Sequence, residues 1–283
     1  MTGHPTQDSV IRHWNGAAWT IGSNPIVNPL YSVDMYSATE AYAVGEYGRV
    51  LRWNGAIWSN VTVPDTNCLM GVTMVSATEV WAVGCSGKTL HRTETGSTVK
   101  WAIVSANTSV SLRSVSALSS TDVWAVGGGG SSGNGVIRRW NGTTWTTVTS
   151  PVTNSLTSVH MLSPTDGTIV GYDGTILHWD GISWEAATSP VTVTLNSVSM
   201  VSATDGWAVG GSGSFYLGGG DGKIVHWDGG SWTEVTSPVT NTLFSVNMLS
   251  ATEGWAVGSN GTILRYGRAE GGEYRVYLPL VRR

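Results

Sequence analysis

The phrase SATEVWAVG at 76–84 recurs in near copies: SATEAYAVG (37–45), SSTDVWAVG (119–127), SPTDGTIVG (163–171), SATDGWAVG (202–210) and SATEGWAVG (250–258). A chain that repeats at a fixed period solves one packing problem several times, so periodicity must be settled before any motif is trusted. The Val of each L-x-S-V-like segment (Val33, Val72, Val115, Val159, Val198, Val246) marks steps of 39, 43, 44, 39 and 48 residues. A period near 40–45 residues built from short apolar-alternating segments predicts propeller blades of four strands each.

The stretch 194–236 carries one full unit: TLNSVSM, GWAVG, KIVHWDG and SWTEVT. In its first segment Val198 and Met200 alternate with Ser197 and Ser199, the period-2 pattern of a half-buried strand. The SATD phrase turns the chain into the second strand, Asp-Gly closes a hairpin after the third, and Trp232 opens the fourth. No segment sustains helical periodicity, so the expected class is all-β. The repeated phrase is then the turn between strands A and B plus strand B itself, a structural element by default.

All fifteen tryptophans obey this grammar. Trp81, Trp124, Trp207 and Trp255 lie on strand B, where Tyr42 and Ile169 are read as the other two copies. Trp14, Trp53, Trp140, Trp179 and Trp227 end strand C, and Trp19, Trp58, Trp101, Trp145, Trp184 and Trp232 begin strand D. Packing between blades is the expected role, with sugar stacking as the alternative for residues at blade edges.

The C–D motif occurs seven times against six for A–B, because VIRHWNGAAWT (10–20) precedes the first strand A. The last unit reaches TILRYG (262–267) and then drifts into RAEGGE without an evident strand D. Since propellers close by pairing strands from their termini, the reading favours seven blades with an incomplete first. The alternative is six, with Trp19 and its neighbours supplying the missing strand D. Residues 1–9 are an N-terminal extension, 10–267 the propeller, and 268–283 a tail or closing strand.

This pattern, L-x-S-V-x-M followed by GWAVG, GTILHWDG and W, resembles bacterial propellers related to the photosystem II stability/assembly factors. It is also similar to the BNR or Asp-box repeats of sialidase-like proteins. The resemblance covers 10–267 and implies the fold; assembly factors of that kind bind protein partners. The Asp-box form S-x-D-x-G-x-T-W is met imperfectly by LHWDGISW (177–184), where Gly follows Asp180 directly and Trp184 falls one residue early.

The chemistry-bearing residues were weighed against the repeat. Glu40, Glu79, Asp122, Asp166, Asp205 and Glu253 fill one turn position, and Asp180 and Asp228 stand where Asn15, Asn54 and Asn141 stand elsewhere. Glycosidase chemistry needs a singular carboxylate pair, and sialidase-like catalysis needs an arginine cluster and a tyrosine nucleophile, so no catalytic set emerges. His13, Arg52, His91, Arg139, His178, His226 and Arg265 share a strand C position, spread over separate blades as metal ligands cannot be. They are read as partners of the acidic turn. Neither CSGKT (85–89) nor GGGGSSGNG (127–135) has the strand-loop-helix context of a phosphate loop. No metal site and no cofactor are expected. A net charge of −4 offers no footprint for nucleic acid, and no apolar run reaches the roughly 18–20 residues that span a bilayer.

Cys68 precedes strand A of the second unit and Cys85 follows its strand B. If Val72 faces Trp81, paired indices sum to 153, as 68 and 85 do, which places the cysteines as cross-strand neighbours forming a disulfide or a pair of buried thiols. A bridge implies an oxidising compartment. MTGHPTQDSV is not a signal peptide, so the protein is cytosolic or its export signal lies outside this sequence.

A site on a repeat scaffold is sought where copies differ. The residue after the strand A Val varies as Asp34, Thr73, Ser116, His160, Ser199 and Asn247, and an earlier position as Tyr31, Met70, Arg113, Thr157, Asn196 and Phe244. The B–C loops 127–135 and 210–222 are expanded, and the second displays Phe215, Tyr216 and Leu217, a binding element or a flap folded over a blade. Asp34, His160, Asn247, Tyr31, Arg113 and Phe244 with that triplet are the candidate ligand-binding residues. The leading expectation is a monomeric, non-catalytic module, extracellular or surface-displayed, that binds a protein or glycan through its loop face and channel mouth. The alternatives are a glycan-active enzyme using Asp34 and His160, and a cytoplasmic assembly chaperone.

Overall fold

The structure is a computed structural model that describes residues 10–22, 25, 28–129, 135–213, 220–268 and 274–277. Among them are six four-stranded antiparallel sheets and one two-stranded sheet, with no α-helix. The fold is a β-propeller of six four-stranded blades, covering 30–61, 69–103, 112–148, 156–186, 195–235 and 243–277. Each runs in chain order from strand A to strand D.

The expectation of seven blades is corrected to six, and the reason lies at both ends of the repeat. Among the described residues the early C–D motif pairs only with itself, Ile11–Trp14 against Trp19–Gly22, as a two-stranded sheet. The last blade takes its strand D from Tyr274–Tyr277, which pairs with Ile263–Arg268; Trp19 does not serve there. The chain clusters into two compact units, Met1–Ala125 with Arg138–Thr146, and Val126–Ile137 with Thr147–Arg283.

In the fifth blade Leu195–Ser202, Asp205–Gly210, Lys223–Trp227 and Trp232–Val235 are the four strands. Strand B is buried along nearly its whole length in the first five blades, as Val-, Ala- and aromatic-rich strands covered on both faces must be. Cores form between successive blades. Tyr42, Val44 and Val50 of the first blade pack with Leu69, Val72, Met74 and Leu90 of the second. Val170 and Ile176 of the fourth pack with Leu195, Val198, Met200 and Trp232 of the fifth.

The repeated phrase makes its own turn. In all six copies the Thr backbone N–H donates to the Ser Oγ two residues earlier, from Thr39 to Ser37 through Thr252 to Ser250. Short polar side chains that bond nearby backbone favour this geometry over strand continuation. The Thr methyl then meets the C–D loop: a Cβ on Gly181, at φ +96°, would lie 2.9 Å from Thr165 Cγ2. That glycine is required by conformation and by contact at once.

Strand A carries an irregularity that alternation hides. In the five A–B registers that are resolved, the pairing slips after the Leu of L-x-S-V, as between Leu69 and Gly71 or Leu195 and Ser197. The x residue is a β-bulge. Within the second blade Thr73, not Val72, faces Trp81, correcting the expected pairing, while beyond the bulge Leu69 faces Gly84. The slip restores the index sum of 153, and Cys68 and Cys85 form a disulfide with Cα atoms 5.4 Å apart.

Candidate functional site

Each blade pairs the turn acid with the strand C base, and in the second, third, fifth and sixth blades a strand B tryptophan completes a three-part device. Arg52 is bidentate on Glu40 at 2.7 and 2.8 Å, and Arg139 on Asp122 at 2.9 and 3.0 Å. His91 meets Glu79 at 2.9 Å, His178 meets Asp166 at 3.2 Å, His226 meets Asp205 at 2.9 Å and Arg265 meets Glu253 at 2.8 Å. The base lies on its own blade's aromatic: His91 stacks on Trp81 at 3.9 Å and 9°, and Arg139 sits 4.8 Å above Trp124. Partly exposed pairs of this kind contribute about 0–1 kcal/mol each. They fix geometry more than they stabilise, and they consume the repeated acids within their blades.

The interchange of Asn and Asp in the C–D loop has an equally structural cause. Asn54 Oδ1 accepts the N–H groups of Ala56 and Ile57, and Asp180 Oδ1 those of Ile182 and Ser183. Only an acceptor oxygen is used. These bonds hold the Asp180 and Asp228 carboxyls below the usual range.

The variable inner-strand residues have specific surroundings. Asp34 Oδ2 accepts the Met74 N–H of the next blade at 2.7 Å. Burial pushes its carboxyl up, against hydrogen bonds from Met74, Met35 and Thr73. Ser199 receives Met248 N–H in the same way. His160 lies across the strand pair from Thr168, and burial lowers its pKa, opposed by Asp166. Asn247 is exposed opposite Trp255. Asp34 belongs to the first compact unit and His160 to the second.

Tyr31, Met70, Thr157, Asn196 and Phe244 are the bulge residues, and Arg113 holds the corresponding position in the third blade. Two of them bracket the next blade: Thr157 Oγ1 donates to Leu195 O at 2.5 Å and Asn196 Nδ2 to Leu243 O at 2.8 Å. Phe215, Tyr216 and Leu217 lie outside the described residues.

Sequence reasoning missed two features. The Ser of L-x-S-V accepts a backbone N–H from the following blade, Val72 to Ser32, Val198 to Ser158 and Val246 to Ser197; its recurrence beside Val was the available signal. The other is the fourth-blade counterpart of the strand B aromatic, which is Thr168 and not Ile169. Thr168 pairs with His178 as Trp207 pairs with His226, whereas Ile169 occupies the buried place of Ala208.

Three named solved structures share the architecture. YCF48 bound to a D1 peptide matches at 17% identity and TM-score 0.66, over 90% of this chain and 83% of that one. The WD40 repeats of RRP9 match at 10% identity and TM-score 0.66, over 95% and 82%. U3-55K matches at 10% and 0.67, over 95% and 83%. The likeness is one of fold. No family model and no curated protein matches the chain.

The Thr168 position leaves a cleft between the fourth and fifth blades of about 230 Å³. Ile176, Met200, Trp227 and Trp232 wall it, and Asp166, His178 and Glu185 stand among its lining groups. Between the fifth and sixth blades, a space beside Trp207, walled by Ile224, Met248 and Tyr266 and without a strand D tryptophan, holds about 20 Å³. Among the described residues no cluster of His, Cys, Asp and Glu could hold a metal, and no helix is long and apolar enough to cross a membrane.

Proposed function

We propose that this protein is a non-catalytic propeller that binds a polypeptide partner. The observation that carries this reading is that the acids and bases repeated in every blade are bonded to each other: Glu40 to Arg52, Glu79 to His91, Asp122 to Arg139, Asp166 to His178, Asp205 to His226 and Glu253 to Arg265. What differs from blade to blade is left to meet a partner. A structural neighbour that holds a peptide, YCF48, supports the same class of ligand. The consumption of the turn acids by their own blades weighs against hydrolysis. The Cys68–Cys85 bridge favours an oxidising compartment, at the cell surface or outside it.

A peptide array probed with the intact protein, followed by affinity measurement on soluble hits, tests this. The Phe215→Ser/Tyr216→Ser/Leu217→Ser variant, altered in the expanded B–C loop of the fifth blade, is expected to weaken the hits at least tenfold. Turnover of chromogenic glycosides or sialosides that disappears in Asp34→Asn would overturn the reading in favour of a glycan-active enzyme.

A further inference from the structure

The strand B aromatic of one blade is held by the aromatic residues of the next. Trp81 lies 5.0 Å from Trp140 and 5.4 Å from Trp145, Trp207 lies 4.7 Å from Tyr266, and Tyr42 lies 5.9 Å from Trp101. At the junction of the fourth and fifth blades the fifth keeps its paired tryptophans, while the fourth changes the guest. Trp227 and Trp232 occupy the places of Trp140 and Trp145, with ring centroids 5.7 Å apart against 5.9 Å. His178 occupies the place of His91, whose ring stacks on Trp81. Yet the residue between them is Thr168, itself 3% exposed, and a cleft of about 230 Å³ remains beside it. Apolar cavities left by large-to-small changes in a rigid core take up flat aromatic molecules of matching size.

We infer that this cleft is a socket for an indole ring, the side chain of a tryptophan on a partner polypeptide. Trp227, Trp232 and Met200 supply apolar and edge-on aromatic contact. The His178 imidazole, 54% exposed at the side chain, is placed to stack on the guest as His91 does on Trp81. Asp166 and Glu185 among the lining groups disfavour an anionic aromatic. The inference rests on the polypeptide-binding reading and names one of its determinants. A polypeptide source is argued by the receptor itself, which in the sister blades is occupied by a protein-borne aromatic ring.

The test uses the full chain with N-acetyltryptophanamide, a Trp-containing peptide and its Trp→Ala counterpart, and free indole, each titrated by calorimetry. Thr168→Trp restores the residue of the sister blades and fills the socket from within; it is expected to raise the thermal midpoint and to weaken N-acetyltryptophanamide and the peptide at least tenfold. Because that variant could overpack, His178→Ala, at an exposed position, provides a second readout and is expected to weaken both ligands about fivefold. No saturable binding at the solubility limit overturns the proposal. So does equal binding of the Trp and Ala peptides, affinity undiminished in both variants, or binding of free indole alone, which would make the site a small-molecule pocket. Array hits that survive Thr168→Trp but fall with the Phe215, Tyr216 and Leu217 changes would remove the socket and leave the protein-binding reading standing.

Discussion

Opening the Cys68–Cys85 bridge should cost about 3 kcal/mol, and the size follows from where the bridge sits. The two cysteines are 17 residues apart, and a ring of that length removes chain entropy from the unfolded state equivalent to about 3 kcal/mol at 25 °C. The native side should change little. Cys85 N–H already donates to Cys68 O at 2.9 Å, and the adjacent Leu69–Gly84 pair holds the two strands in register. Replacing both cysteines by Ser therefore leaves the hairpin intact and acts on the unfolded chain. Expressed as heat stability, the loss is roughly 6 °C, at the shallow end expected for a long chain. Chemical denaturation of the wild type, the wild type under reductant, and Cys68→Ser/Cys85→Ser measures it. The last two should coincide. Intact mass after alkylation under denaturing, non-reducing conditions provides the prior check, with two unmodified cysteines expected. If the reduced and double-Ser proteins both stay within about 0.5 kcal/mol of the oxidised one, the entropic reasoning fails.

Arg92 offers a test of the repeat from inside the core. It is 1% exposed, faces Val80 where other blades place a strand C aromatic, and bonds Glu94 and, at 3.4 Å, Ala77 O. That carbonyl is the counterpart of Ala38 O and Ala203 O, which receive Trp53 and Trp227 Nε1. Arg92→Trp should therefore stay within about 1 kcal/mol of wild type, whereas Arg92→Ala, which loses packing as well as charge, should cost about 2–4 kcal/mol by denaturant midpoint. His160 supplies a pH test. Its folded pKa lies below the ordinary 6.5 because burial disfavours the charged ring. The unfolded chain thus takes up the proton first, and stability falls as pH drops below about 6.5, with a slope of at most ~1.4 kcal/mol per pH unit from this group. His160→Asn should show a shallower loss between pH 7.5 and 5.5 than wild type; equal slopes would refute the assignment.

The parts of this molecule that could be read from its residues are those that its copies state redundantly. Acid and base change identity from blade to blade, Glu with Arg, Glu with His, Asp with Arg, yet each turn acid keeps a base among the strand C residues, so a basic partner within or between blades is legible, and the structure places it within the blade. The register was not legible in the same way. L-x-S-V presents as unbroken alternation, and a bulge adds a residue without adding a signal, so Val72 was set against Trp81 although Thr73 faces it. The cysteine pairing survived because the slip falls between that pair and the bridge. The sixth blade's outer strand was hidden for a different reason: Tyr274–Tyr277 lacks the tryptophan that opens the others, so pairing rather than composition identifies it.

Thr168 was obscured by a chemical preference in the reading itself. SPTDGTIVG contains one large apolar residue, and matching Ile169 to Trp207 by character rather than by distance from the closing glycine concealed the substitution. Even a correct alignment would have shown only a smaller residue. Small residues at core positions are commonly answered by a larger neighbour or by approach of the backbone, and neither is written at the position that changed. What makes the cleft a candidate site is the persistence of Trp227, Trp232 and Met200 around it, in the places where Trp140 and Trp145 of the third blade meet Trp81. A repeat protein supplies this comparison within one molecule, because a sister blade shows the paired tryptophans with the ring present.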